Sequence, residues 1–266
     1  MKVELFETYA EKIQRNMVFR VILPDGYNEN AEDYYPVLYL QDGQDLLNDE
    51  DAVDGKSWGY ATYYSKYKRF LPEIIIIAID CPNNNKERTR LYAPYYKYFD
   101  VKGRNFESEI DGKGADYVAW LVGDLKPWID SKYRTKPGKE YTAIGGSSTG
   151  GLTAIYAIMT YPNTFTRVFT ISAATYIWFD LLEKTMEESE LIDLKYIYID
   201  VGRNDVGRMT QSNEFVLGNQ MIYQKFLDLG FDYSQLNFQI FDYDYHEHSC
   251  FGRRFPDALR WIFQDI

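Results

Sequence analysis

Residues 146–150 read GSSTG, a G-x-S-x-G pattern centred on Ser148, between an apolar strand-like run and an apolar helix-like one. A serine held on a strand-to-helix turn can act as a nucleophile. The turn is so sharp that its neighbours must be small, here Gly146, Gly150 and Gly151. It lifts the Ser148 hydroxyl above the sheet and aims the helix N-terminus, with its unpaired N–H groups, at the charge that develops during attack. Ser147 is expected to face the other way and be buried. A plain glycine–serine loop or a phosphate cradle is the competing account. No Lys follows at phosphate-loop spacing, and the strand–turn–helix context favours the nucleophile.

A serine hydroxyl needs a base, and the chain holds two histidines, His246 and His248, both in DYDYHEHSCFGRRF. Imidazole titrates near pH 6.5, about where a neutral base is useful. Their pattern alone leaves the two equivalent, or both as solvated loop residues. For the acid, IYIDVGRNDVGRM supplies Asp200 and Asp205. Asp200 falls within the strand pattern, whereas Asp205 lies beyond the strand's C-terminal end, where ligands gather in open α/β sheets, and is preferred. Asp242 and Asp244 are alternatives that sit close to His246 in sequence. An oxyanion needs two N–H donors. Thr149 supplies one, and the loop in YLQDGQDLLND supplies Gln44 by its backbone, with Gly43 allowing close approach. The acidic run NDEDAVDG (48–55) lacks the alternating spacing and closing Glu of a calcium loop and reads as a solvated rim.

These residues must be positioned by alternating elements. Strands are expected at 3–9, 16–24, 35–42, 73–80, 140–147, 167–173, 194–201 and 236–243, and helices near 59–70, 115–131, 150–161, 178–189, 213–229 and 254–265. The first two strands alternate polar with apolar residues, as a half-solvated antiparallel edge does; the later ones are nearly continuous apolar runs, as parallel strands covered on both faces are. Pro127 is expected to kink or interrupt the helix that contains it. Two strands followed by repeated βα units imply right-handed crossovers and a mostly parallel, eight-stranded sheet with helices on both faces.

At 266 residues the chain suits a single α/β domain spanning 1–266. A net charge of −11 repels phosphate backbones and anionic bilayers, which argues against nucleic-acid or membrane partners. The N-terminus has no apolar run of secretion-signal length, and EIIIIAID (73–80) is too short to span a bilayer, so a cytoplasmic location is expected. Cys81 and Cys250 form neither a disulfide framework nor a metal-ligand pair. The 25 Tyr and 16 Phe are expected mainly in core and sheet, with some lining a site for an aromatic or sugar-bearing ligand.

The sequence resembles the esterase branch of the α/β hydrolases that includes esterase D, enterochelin-type siderophore esterases and feruloyl and acetyl-xylan esterases. The likeness covers nearly the whole chain: YPVLYLQDGQDLL, the elbow and its helix in GGSSTGGLTAIYAIMTYPNTFTRVFTISA, IDVGRND, and a C-terminal H-x-x-x-x-W-x-x-x-[LF]-P-x-A-L pattern. Only His246 keeps the register of that last pattern, with Phe251 at its aromatic position, so the resemblance makes His246 the base and His248 an outer or surface residue. Two departures stand out: Phe251 replaces the usual Trp, and RTRLYAP (88–94) carries Leu91 where a Glu is common. The resemblance implies a triad of Ser148, Asp205 and His246 with an oxyanion hole of Gln44 and Thr149, working on a small-molecule ester without metal or organic cofactor. Trp58, Arg88, Tyr92 and Trp178 are the candidate substrate-binding residues. No insertion long enough for a large lid is visible, which favours small soluble esters: short acyl, acetyl or hydroxycinnamoyl, including sugar-linked ones. A siderophore ester, or an acyltransferase or non-catalytic binding role on the same fold, is the alternative, and the oligomeric state is left open between a single chain and a homo-oligomer.

Overall fold

The computed structural model describes residues 1–27, 32–99, 109–191 and 193–266. Its main sheet has eight strands in the order β1-β2-β4-β3-β7-β8-β9-β10. These are β1 (Lys2–Ala10), β2 (Arg15–Leu23), β3 (Val37–Gln41), β4 (Ile75–Ile79), β7 (Thr142–Ser147), β8 (Arg167–Ile171), β9 (Tyr196–Asn204) and β10 (Leu236–Tyr245). β1 and β2 pair antiparallel, β2 joins β4 antiparallel, and every other pairing is parallel. β5 (Tyr96–Tyr98) and β6 (Glu109–Asp111) form a separate antiparallel pair that the sequence pattern did not suggest.

Continuous apolar strands feed two cores. Val37 and Tyr39 of β3, and Ile75, Ile77 and Ile79 of β4, face one side; Leu38, Leu40, Ile76 and Ala78 face the other. The first core is covered by α2 (Asn85–Tyr92), α3 (Gly114–Trp120), α4 (Lys126–Lys132), α5 (Thr149–Thr160), α6 (Phe179–Glu187) and α7 (Ser212–Asp228). The second is covered by α1 (Tyr60–Tyr67) and α8 (His248–Ile262). β1 is the solvated edge, with Val3 and Leu5 exposed. Among the described residues no helix is long and apolar enough to cross a membrane.

The helix pauses at Pro127 without ending there. A single π turn, Leu121–Leu125, joins α3 to α4, and Pro127 falls in the first turn of α4. The wider turn absorbs the geometry that a proline ring otherwise forces on the preceding turn.

From β3 the chain moves outward to β4 on one side and later returns through β7 to β8, β9 and β10 on the other. The order therefore reverses between β3 and β7. That is the topological switch point at which open α/β sheets bind ligands.

Candidate active site

Ser148 is the one residue between β7 and α5, and its backbone sits at φ 53°, ψ −123°. A non-glycine residue there carries strain of about 1–3 kcal/mol. The surrounding structure holds it: the Ser148 N–H donates to the Ile171 carbonyl at 3.0 Å, and its own carbonyl accepts from Ala174 N–H at 3.0 Å. The close approach of α5 to the sheet explains the small neighbours. A Cβ on Gly146 meets the Gly150 backbone at 2.9 Å, and one on Gly150 meets Gln41 Cβ at 2.8 Å. Ser147 is buried at the end of β7, whereas Ser148 is partly exposed; both border one cavity.

Asp205 follows β9 and is fully buried. Its Oδ2 accepts the Gly202 N–H at 2.9 Å, and its Oδ1 lies 3.8 Å from His246 Nδ1. His246 follows β10. Its ring lies 4.6 Å from that of Phe215 and 5.0 Å, edge to face, from that of Phe251, which fixes the imidazole plane. The competing carboxylates are engaged elsewhere. Asp200 meets Arg254 Nη1 at 2.9 Å, and burial pushes its carboxyl up to about 7 against the pull of that guanidinium. Asp242 pairs with Arg203, and Asp244 with Arg253 and Arg254.

His248 departs from the expectation of an outer residue: it lines the same cavity as Ser148 and His246. It opens α8, with Nδ1 2.6 Å from the Lys56 carbonyl and Nε2 3.8 Å from Asp45 Oδ2. Burial, then the neighbouring Asp42 carboxylate, pushes Asp45 up to about 6, against the Val53 N–H that it accepts and the pull of His248. Asp45 is a site residue that sequence pattern missed, although it directly follows DGQ.

The Gln44 side chain is held against Cys81: Nε2 donates to Cys81 Sγ and Oε1 accepts the Cys81 N–H, both at 3.0 Å. Gln44 is buried and, unlike Asp45 and Thr149, does not border the cavity, and its side chain is turned toward Cys81. Gln44 lies in the first turn of a short 3-10 segment, Gly43–Asp45, and Thr149 is the first residue of α5; such leading N–H groups have no partner within their own helix. Gly43 lets this turn pack directly on β4, because a Cβ there meets the Ala78 backbone at 2.3 Å.

The cavity has a volume of about 490 Å³ and lies over the C-terminal ends of the strands. Ile177, Trp178, Val206, Met209 and Phe215 give it apolar lining; Asp45, Lys56, Asn85, Arg88 and the two histidines give it polar lining. Two of the four expected pocket residues reach it, Arg88 and Trp178. Trp178 is also core, fully buried beside Phe99. The other two do not line it. Trp58 packs between Phe251 and Phe255 under α8, where its large apolar ring is better buried. Tyr92 is fully buried and spends its hydroxyl accepting the Asp42 N–H at 3.0 Å.

Residues 10–262 match the family model described as "Putative esterase". The chain belongs to that esterase family. It is similar to the uncharacterized protein YbbA of Bacillus subtilis (strain 168), at 24% identity over 251 residues, covering 93% of each chain. A ferulic acid esterase structure superposes with a TM-score of 0.68 at 20% identity, over 99% of this chain and 98% of that one. An IroE-like serine hydrolase from Shewanella oneidensis superposes with a TM-score of 0.75 at 20% identity, over 97% of this chain and 79% of that one. The fold shared with these two structures is the α/β-hydrolase fold. The esterase's two sequence departures occupy different places: Phe251 stands against the His246 ring and touches Trp58, whereas Leu91 is buried in the core away from the cavity lining.

Proposed function

We propose that this esterase is a serine carboxylesterase in which Ser148 is the nucleophile, His246 the base and Asp205 the orienting acid. One observation carries the reading. A serine held in a strained elbow at the start of α5 shares a cavity with His246, and a buried Asp205 stands behind the imidazole. Ser148 Oγ bonds to the ester carbonyl carbon while His246 takes its proton, then passes that proton to the alkoxide, so that the alcohol leaves and an acyl-enzyme remains. Water, deprotonated by the same imidazole, bonds to the acyl carbon; the bond to Ser148 Oγ then breaks, Oγ takes the proton back and the acid leaves. The N–H groups of Thr149 and Gln44 hold the oxyanion, each contributing about 3 kcal/mol to lowering the barrier. The 3.8 Å between His246 and Asp205 exceeds a hydrogen bond, and such contacts tighten when substrate and transition state bind.

The lining supports small soluble esters with a short or planar aromatic acyl group seated against Trp178, Met209 and Phe215. The fold shared with a ferulic acid esterase favours a hydroxycinnamoyl group among these. The test is turnover of p-nitrophenyl acetate, butyrate and octanoate beside methyl ferulate. The acetate and ferulate are expected to be preferred, and Ser148→Ala to lower kcat about a million-fold. Ser148→Ala retaining more than a hundredth of wild-type kcat contradicts the assignment.

A further inference from the structure

Arg88, expected as a substrate contact, is already occupied on three sides. Its Nε donates to Asp42 Oδ1 at 2.7 Å, its Nη2 to Asp42 Oδ2 at 2.6 Å, and its Nη1 to Thr149 Oγ1 at 2.7 Å. Asp42 is equally fixed. It is buried, sits at φ 61°, and donates its N–H to the Tyr92 hydroxyl. Burial acts to raise the Asp42 carboxyl, but the Arg88 guanidinium beside it outweighs burial and holds it below its ordinary value.

The two ends of this clamp matter because of what lies next to them. Asp42 leads into the turn that carries Gln44, and Thr149 itself carries the other proposed N–H donor. The strands bring these turns side by side, and α5 packs close to Gln41 at Gly150, but direct pairing of β3 with β7 runs only from Val37–Thr142 to Leu40–Gly145. Beyond that point β3 stays paired to β4 through Gln41 and β7 to β8 through Ser147, and each turn then leaves its own strand. Oxyanion stabilisation requires both donors at about 2.7–3.1 Å from one position, a tolerance finer than strand pairing alone imposes on two turns that leave different strands, so a direct tie between the turns has a role.

We propose that Arg88 is the positioning residue of the oxyanion hole, its fork on Asp42 and its third N–H on the Thr149 hydroxyl setting the separation of the Gln44 and Thr149 N–H groups. This rests on the serine-esterase reading of the same site. It assigns Arg88 no contact with substrate. The bidentate fork is a geometry that lysine cannot reproduce.

Four variants test it, each measured for kcat and KM on p-nitrophenyl acetate, for affinity toward a trifluoromethyl ketone whose adduct carries the oxyanion, and for Tm. Thr149→Val keeps the backbone N–H and cuts only the tie; kcat is expected to fall about tenfold, KM to stay within twofold, and ketone affinity to fall with kcat. Arg88→Met is expected to lower kcat about a hundredfold and also Tm, because Asp42 is left buried and unpaired. Arg88→Lys restores Tm more than it restores kcat. Asp42→Asn combined with Arg88→Met removes both charges, so Tm recovers while kcat and ketone affinity stay low. Recovery of kcat together with Tm in that double variant overturns the proposal, as does a rise in KM at constant kcat, the mark of a substrate contact. A wild-type protein that turns over no ester and forms no ketone adduct overturns the esterase reading itself, and this inference with it.

Discussion

Asp205 and Asp200 are both fully buried, yet they face different partners. Asp200 lies inside β9 and meets Arg254; Asp205 lies past the strand end and meets His246. That division follows from where β9 ends, the same boundary on which the preference for Asp205 in the sequence rests. Asp205→Asn keeps an oxygen for the Gly202 N–H but can offer His246 Nδ1 a donor instead of an acceptor. We expect kcat to fall about 10⁴-fold with Tm close to wild type, measured on p-nitrophenyl acetate. A loss under tenfold removes Asp205 from the mechanism. The site's polar rim was less legible. Nothing in local pattern says that His248 reaches across to Asp45 and Lys56, or that Arg88 is tied to Asp42 and Thr149, because these contacts join segments far apart in the chain. Trp58 and Tyr92 were misread for the same reason: an aromatic near a loop can turn into the core, and both do.

At the scale of elements, the strands were readable because parallel strands covered on both faces are apolar throughout, as β4 shows with five buried residues in succession. Helix α2 was not readable, since NKERTRLY is strongly polar; its one local signal is Asn84, whose side chain accepts the Lys86 and Glu87 N–H groups as an N-cap. Helix α8 begins at His248 rather than at the expected 254, its polar first turns being packed by tertiary contacts. Arg254 is the chief of these. It joins α8 to Asp200 on β9, to Asp244 on β10 and to Ser172 after β8, the last at 3.0 Å. Arg254→Met strands Asp200 without its guanidinium and is expected to cost about 3–5 kcal/mol at pH 8. The Asp200 carboxyl, raised to about 7, favours the fold while protonated. Its contribution is full below the ordinary carboxylate range and is lost as pH rises through about 7. The penalty of Arg254→Met should therefore shrink between pH 8 and pH 5 in paired denaturant titrations. A penalty equal at both pH values contradicts this role for Asp200.

Across the whole molecule, the order of strands places the turns after β3 and β7 side by side and brings the loops after β9 and β10 over the same end of the sheet. A mostly parallel sheet of eight strands could be anticipated from alternating strands and helices; the order of pairing could not. The use of the aromatic residues could not. Among the described residues no tyrosine lines the cavity; Trp178, Phe215 and Phe251 supply its aromatic rings, while Tyr39, Tyr92, Tyr117 and Tyr198 are buried in packing. The account depends on Ser148, Asp205 and His246 acting together although they lie on three separate loops. Labelling with a fluorophosphonate probe, with the modified residue located by mass spectrometry, tests that convergence most directly, since only a base-activated serine reacts quickly. We expect the wild type, Ser147→Ala and His248→Ala to be labelled at Ser148, Ser148→Ala not at all, and His246→Ala far more slowly. Absence of labelling in the wild type, or a label found on Ser147, would contradict the account.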